Sequence, residues 1–413
     1  MSSAATQAVK PSQLSKFALL RNRNFLFLEL GRTTSNSGRA MRSFARAWLV
    51  LELTGSPFLL GLVTSSLSWP MLLMPFVGGV LADRMDRRKL LLITEFSLAI
   101  LWAGMSLVIT LGFVQWWHLL ITGVLSGIIQ SLGRPGHQAM LGSVVEHEQL
   151  AGAVAADNAI DHWSHAVGLL VATIAIPIAG TEGLFWTTAT LQLLTGFTLL
   201  CFSWQSKPVE ESKKSVKGNL IDGIKYVKGE PVILGLVGVA AAASLFGGAY
   251  HFLMPFFARD ILGVGAQGLG TLLLASTLGT TTGAAAVFAF VKESRRGLIL
   301  LGAAMLTTVM LVGFSRSEIF VLSLGLMFGM GLFSTVKQTM SIMIMQILAP
   351  DHMRGRVMGL RVSIMGLSWI GVLMMGAVAE VIGPANTVLY GGLLSGFVVA
   401  VLFIAVPSLW RLK

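Results

Sequence analysis

A chain of 413 residues with 54% hydrophobic side chains, 12% charged ones and a mean hydropathy of +0.77 reads as a polytopic membrane protein. A soluble domain carries about twice that charged share. The net charge of +11 would suit a nucleic-acid partner, but the basic residues sit in short segments between apolar runs, which excludes that reading. The lone cysteine, Cys201, excludes an internal disulfide.

In chain order, the first 24 residues are polar and hold Lys10, Lys16, Arg21 and Arg23. No short apolar core with a cleavage site follows, so they read as a cytoplasmic tail rather than a cleaved leader. Twelve helical spans are expected at 25–51, 57–82, 90–111, 117–142, 153–179, 183–204, 231–257, 267–291, 297–314, 318–346, 357–381 and 386–409. The polar stretch 205–230 separates a six-helix half at 25–204 from a second at 231–410. Its second part, Leu220-Ile221…Ile224…Val227 beside Lys225 and Lys228, has the spacing of a short helix lying on the inner membrane face. Of the 30 Lys and Arg, 22 fall in the tails and loops assigned to one face, whereas only Arg259 and Arg316 fall on the other. That asymmetry predicts a multi-pass membrane protein with both termini cytoplasmic.

The densest charge lies in Gly79-Val80-Leu81-Ala82-Asp83-Arg84-Met85-Asp86-Arg87-Arg88-Lys89, between two apolar runs. Such a knot cannot sit in hydrocarbon and must be a loop at a membrane face. The order Gly-x-Leu-Ala-Asp-Arg-x-x-Arg-Arg resembles the loop between helices 2 and 3 of the major facilitator superfamily, with Asp86 where that pattern usually has Gly. The resemblance implies an all-α fold of twelve transmembrane helices in two pseudo-symmetric six-helix bundles, working by alternating access. It also implies a conformational latch made of Gly79, Asp83, Arg84, Arg87 and Arg88. The halves echo one another: Arg87-Arg88 matches Arg295-Arg296, and Glu146-His147-Glu148-Gln149-Leu150 matches Pro350-Asp351-His352-Met353-Arg354. Leu53-Thr54-Gly55-Ser56-Pro57, Arg134-Pro135-Gly136-His137-Gln138-Ala139, Ala156-Asp157-Asn158-Ala159 and Pro350-Asp351-His352-Met353-Arg354-Gly355-Arg356-Val357 are similar to the branch holding enterobactin-exporter-like transporters and bacterial drug exporters.

The least expected residues lie in the first span. Arg32, Ser35, Arg39, Arg42 and Arg46 recur at helical spacing and fall within about 80° of one another, with Asn36 and Ser43 beside them. Each unpaired charge in a span costs at least ~2.5 kcal/mol, so the row must face water or carboxylates. Guanidinium forks hold carboxylates bidentately, which makes Arg32, Arg39, Arg42 and Arg46 candidates for binding an anionic substrate; the alternative is pairing within the bundle. Asp157, Asp161 and His165 recur every four residues on the fifth span, and the resemblance sets helices 1 and 5 side by side, so Arg–Asp bridges between them are expected. A bridge that breaks on protonation is a coupling device, which makes Asp161 and Asp157 candidates for it, with Glu95 as the other isolated membrane acid. Glu29, one turn before Arg32, reads as its intrahelical partner.

Arg134 and Gln138 on the fourth span and Lys337 on the tenth complete the candidate binding set, with His251 ahead of Pro255 on the seventh. The internal repeat brings Arg134 and Lys337 to corresponding positions, where both could flank one cavity. Gly123/Gly127, Gly279/Gly283 and Gly325/Gly329 have the spacing of close helix approach. Gly263-Val264-Gly265-Ala266-Gln267-Gly268 follows a membrane span rather than a strand and reads as an outer loop, not a dinucleotide site. No Walker loop, HExxH zinc site or nucleophile-elbow serine occurs, so neither ATP-driven pumping nor hydrolysis has support.

The favoured reading is a monomeric secondary transporter, not an enzyme, without cofactor or metal. It would use the proton gradient to export an amphipathic, anionic small molecule: a siderophore, drug or secondary metabolite. The alternatives are a lipid or lysolipid flippase or an organic-anion importer of the same fold, and, in another class, a membrane-embedded enzyme or scaffold.

Overall fold

The computed structural model describes residues 22–73, 87–145, 149–201, 225–290, 296–366 and 368–407. Within them the first half comprises α1 (Arg23–Thr54), α2 (Pro57–Ser65), α3 (Ser68–Leu73), α4 (Arg87–Thr110), α5 (Trp116–Val144) and α6 (Leu150–Leu200). The second comprises α7 (Pro231–Ala242), α8 (Ala249–Phe256), α9 (Gly265–Phe290), α10 (Arg296–Ser315), α11 (Phe320–Leu348), α12 (Asp351–Gly366), α13 (Ser368–Ile382) and α14 (Pro384–Ala405). These bounds follow the spans expected from hydropathy to within a few residues, except that the second span is broken after Ser65 and its part beyond residue 73 lies outside the described residues, and the eleventh begins six residues earlier, at Asp351.

Local chemistry sets the ends. Asn22 caps α1 by accepting from the backbone N–H of Asn24 at 3.0 Å and of Phe25 at 3.2 Å. Gly55 closes the same helix in the left-handed region at φ 60°, its N–H reaching Leu51 O at 2.9 Å. Ser56 then caps α2 with Pro57 as the first helical residue. The fifth and sixth spans form one 51-residue element, turned at Gly180, whose φ of 62° and ψ of −171° suit glycine. Pro255 sits inside α8, and five-residue π segments at Ala243–Gly247 and Phe257–Ile261 flank that helix.

Among the described residues, seven helices are long and apolar enough to cross a membrane by length and composition alone, and α1 is not one of them. At 32 residues it is long enough, but its arginines lower its hydropathy. It is instead cradled by both limbs of α6. Ser37 Oγ donates to Ser164 O at 2.9 Å, and the hydroxyls of Thr34 and Thr195 are paired at 2.8 Å. In the second half α9 packs on α11 through Gly279 and Gly283, where a Cβ would collide with the backbone carbonyls of Phe328 and Leu332. Gly325 makes no such approach.

The buried apolar side chains form three clusters, and their distribution defines the shape. One is common to both halves, joining Met41, Phe44, Trp102 and Phe185 to Phe257, Phe314, Met327 and Met330. The other two belong to one half each: Phe25, Leu28, Leu91 and Met140 in the first, Leu300, Met340, Val357 and Phe403 in the second. Among the described residues the halves are therefore welded at the end holding Gly55, Gly180 and Gly383, and have separate cores at the end holding Phe25 and Val357. At the welded end Gly61 faces Gly376, Ser56 Oγ donates to Glu380 Oε2 at 2.7 Å, and Arg259 Nη1 donates to Leu51 O at 3.1 Å.

Candidate functional site: a cavity between the two bundles

Between the halves lies a cavity of about 680 Å³, lined by α1, α2 and α6 on one side and by α8, α9, α11 and α13 on the other. That volume holds a drug-sized molecule. Its greasy wall is Phe44, Leu169, Phe252, Leu269, Leu273 and Val372. Among the described residues its polar wall includes Asn36, Arg39, Arg46, Asp161, His162, His165, His251 and Gln338.

The arginine row divides. Arg39 and Arg46 line the cavity. Arg39 is exposed to it and donates to Asn36 Oδ1 at 2.5 Å, whereas Arg46 is 7% exposed. Arg32 is engaged by α6, its Nε 3.0 Å from Asp157 and its Nη2 3.3 Å from Asp161. Arg42 is buried and lies over the Trp102 ring, 4.3 Å from its centre, where its charge meets the negative face of the indole. One helical stripe thus gives two cavity groups and two bundle groups.

The bridge to α6 continues into the cavity. Asp161 accepts from Asn36 Nδ2 at 2.5 Å as well as from Arg32, and Asn36 in turn accepts from Arg39. The chain Asp157–Arg32–Asp161–Asn36–Arg39 is one continuous polar path from the bundle interior to the cavity wall. Glu29 departs from expectation: it does not pair with Arg32, and both of its carboxylate oxygens are buried without a hydrogen-bond partner. Asp157 and Asp161, on the facing helix, hold the guanidinium instead. Glu95 accepts from Gln192 Nε2, a partner signalled only by one isolated amide in an apolar run.

The remaining candidates are scattered. His251 lines the cavity, its ring 4.2 Å from that of Tyr250. Lys337 lies on two smaller cavities rather than this one. Gly79, Asp83 and Arg84 of the latch lie outside the described residues, as do the side chains of Arg87, Arg134 and Gln138. Arg88 donates to Leu200 O at 2.9 Å, tying α4 to the end of α6. Thr277, Thr280, Thr281 and Thr282 donate to their own helix backbone, as isolated threonines in a span do. His162 is a cavity residue that sequence reasoning misses; the one signal for it is its place beside Asp161.

The comparisons with known proteins agree with this architecture. Enterobactin exporter EntS of Shigella boydii serotype 4 (strain Sb227) is 24% identical over 311 residues, which is 75% of this chain and 73% of that protein. The protein of the same name from Escherichia coli O139:H28 (strain E24377A / ETEC) has the same identity and coverage. Among solved structures, the nucleoside transporter NupG superposes with a TM-score of 0.69 at 14% identity, over 94% of this chain and 99% of that one. A bacterial homologue of the human lysosomal transporter Spinster, inward-facing and unoccupied, gives a TM-score of 0.65 at 14% identity over 97% of both chains. The sequence profile of the Major Facilitator Superfamily matches residues 30–372. Helical throughout its described residues and built about a central cavity, this multi-pass membrane protein, a transporter and not an enzyme, belongs to the Major Facilitator Superfamily.

Proposed function

We propose that the protein exports an amphipathic, anionic small molecule from the cytoplasm across a bacterial inner membrane, as a monomer, driven by the proton gradient and without a cofactor. The observation that carries the reading is the pair Arg39 and Arg46 on a cavity wall where, among the described residues, Asp161 is the only acidic group. A guanidinium facing a cavity within a membrane attracts an anion and can hold it bidentately. The apolar wall accommodates the rest of the cargo. The relatives' name, enterobactin exporter, makes a siderophore the first cargo class to try.

Coupling follows from the polar path. Asp161 holds both Arg32 and Asn36, and Asn36 holds Arg39. Protonation of Asp161 or Asp157 would release Arg32 and free Asn36 to move, so a proton at the aspartates and cargo at Arg39 act on one chain of hydrogen bonds. Glu95 is the further candidate acid. The excess of basic residues in the segments expected on one face supports placing the parted end in the cytoplasm and the welded end in the periplasm. Among the described residues the halves are then joined outside and parted inside.

The test is transport in sealed proteoliposomes with an imposed pH gradient, using labelled enterobactin, a panel of carboxylate-bearing amphiphiles and their neutral esters. Uncoupler-sensitive flux of the anions, with little flux of the esters, is expected. Equal flux of both, or flux indifferent to the uncoupler, would overturn the anion or the proton assignment respectively.

A further inference from the structure

Beside the main cavity, within the second bundle, lies a smaller one of about 160 Å³ walled by α7, the π segment Ala243–Gly247, α11 and α12. It is too small for a drug-sized ligand. Two cations face it: Lys337 from α11 and Arg361 from α12. Arg361 is 6% exposed and Ser341, on the same wall, 4% exposed. Neither Arg361 Nε nor Ser341 Oγ has a hydrogen-bond partner. Among the described residues no carboxylate forms an ion pair with Lys337 or Arg361. By position in the chain Arg361 belongs with the basic residues of a cytoplasmic loop; in the fold it lies ten residues inside α12 and looks into the bundle.

Two like charges that share a small cavity inside a membrane protein, with a donor idle beside them, describe a site built for a counter-charge. Gln338 and Ser334 line both this cavity and the large one, so the two spaces share a wall. A π segment at the opposite wall is a further mark of a functional position. We propose that this side cavity is a second anion site, in which Lys337 and Arg361 clasp a halide- or carboxylate-sized anion with the Ser341 hydroxyl as a third donor. The anion is either a free small ion or one acidic arm of a cargo whose body occupies the larger cavity. The site is independent of the exporter reading, since it is read by binding rather than flux.

The experiment uses the full-length protein in detergent with gluconate as the background anion, titrated with chloride, acetate and a flexible dicarboxylate. The wild type should gain about 2 °C or more in Tm. Lys337→Gln and Arg361→Gln should lose that gain, and Lys337→Arg should keep it. A response to chloride and acetate that survives Arg39→Gln identifies a free small ion. A response confined to the dicarboxylate and lost in Arg39→Gln identifies a cargo arm. No response in the wild type, or an equal one in both Gln variants, overturns the site. Should the Gln variants fail to fold, crystals of the wild type soaked in bromide decide: an anomalous peak between Lys337 and Arg361 is expected, and its absence rejects the proposal. Failure of siderophore export in vesicles would leave each of these outcomes unchanged.

Discussion

Arg39 and Arg46 differ from Arg32 and Arg42 in surroundings, not in sequence. All four share one stripe of α1, yet the first two look into the cavity while the others are held by Asp157, Asp161 and the Trp102 ring. Helical spacing decides which face a side chain takes; the neighbouring helix decides what that face means. The pairs should therefore fail differently when altered. Arg32→Ala strands Asp157, which is 8% exposed, and should cost about 3 kcal/mol of stability, with a lowered Tm and partial recovery in the Arg32→Ala/Asp157→Asn double variant. Recovery to no extent would mean the ion pair is not what holds α1 against α6. Arg39→Gln should lower export of an anion about tenfold or more, the equivalent of ~1.4 kcal/mol, with Tm nearly unchanged. A fall in Tm like that of Arg32→Ala would erase the distinction.

Smaller effects sharpen the same contrast. Arg42→Lys keeps the charge but loses the flat stacking surface over Trp102, and should destabilise by about 1 kcal/mol without altering the cargo preference. Glu380→Gln weakens the links from Ser56 Oγ at 2.7 Å and from the Phe58 N–H at 3.0 Å. It should shift the balance towards opening at the welded end by about 0.5–1 kcal/mol, read as faster alkylation of a cysteine introduced at the buried Ala379.

Much of the fold is legible in the sequence because hydropathy and helical period act locally. Gly55, Pro57 and Gly180 punctuate the chain where the φ values and caps require, and the break in α6 falls between two expected spans. The face of α1 is legible too, since four arginines at helical spacing can have one cause. Pairing across helices is not. Glu29 is one turn from Arg32, but α6 brings Asp157 and Asp161 closer, and the shorter-range rule loses. Arg361 groups with a loop by charge alone, because charge normally marks loops in such chains; only the packing of α12 against α7 and α11 turns it inward. Lys337 likewise faces its own small cavity rather than the central one.

The welded end has one more consequence. It is sealed mainly by hydrocarbon side chains of the shared cluster, with a few polar links at its rim. On an alternating-access cycle each reopening would wet that apolar seam, and wetting such surface raises heat capacity. The turnover rate should accordingly bend, not run straight, on an Arrhenius plot, and cooling should shift the resting population between the two faces by an amount that grows with the area of the seam.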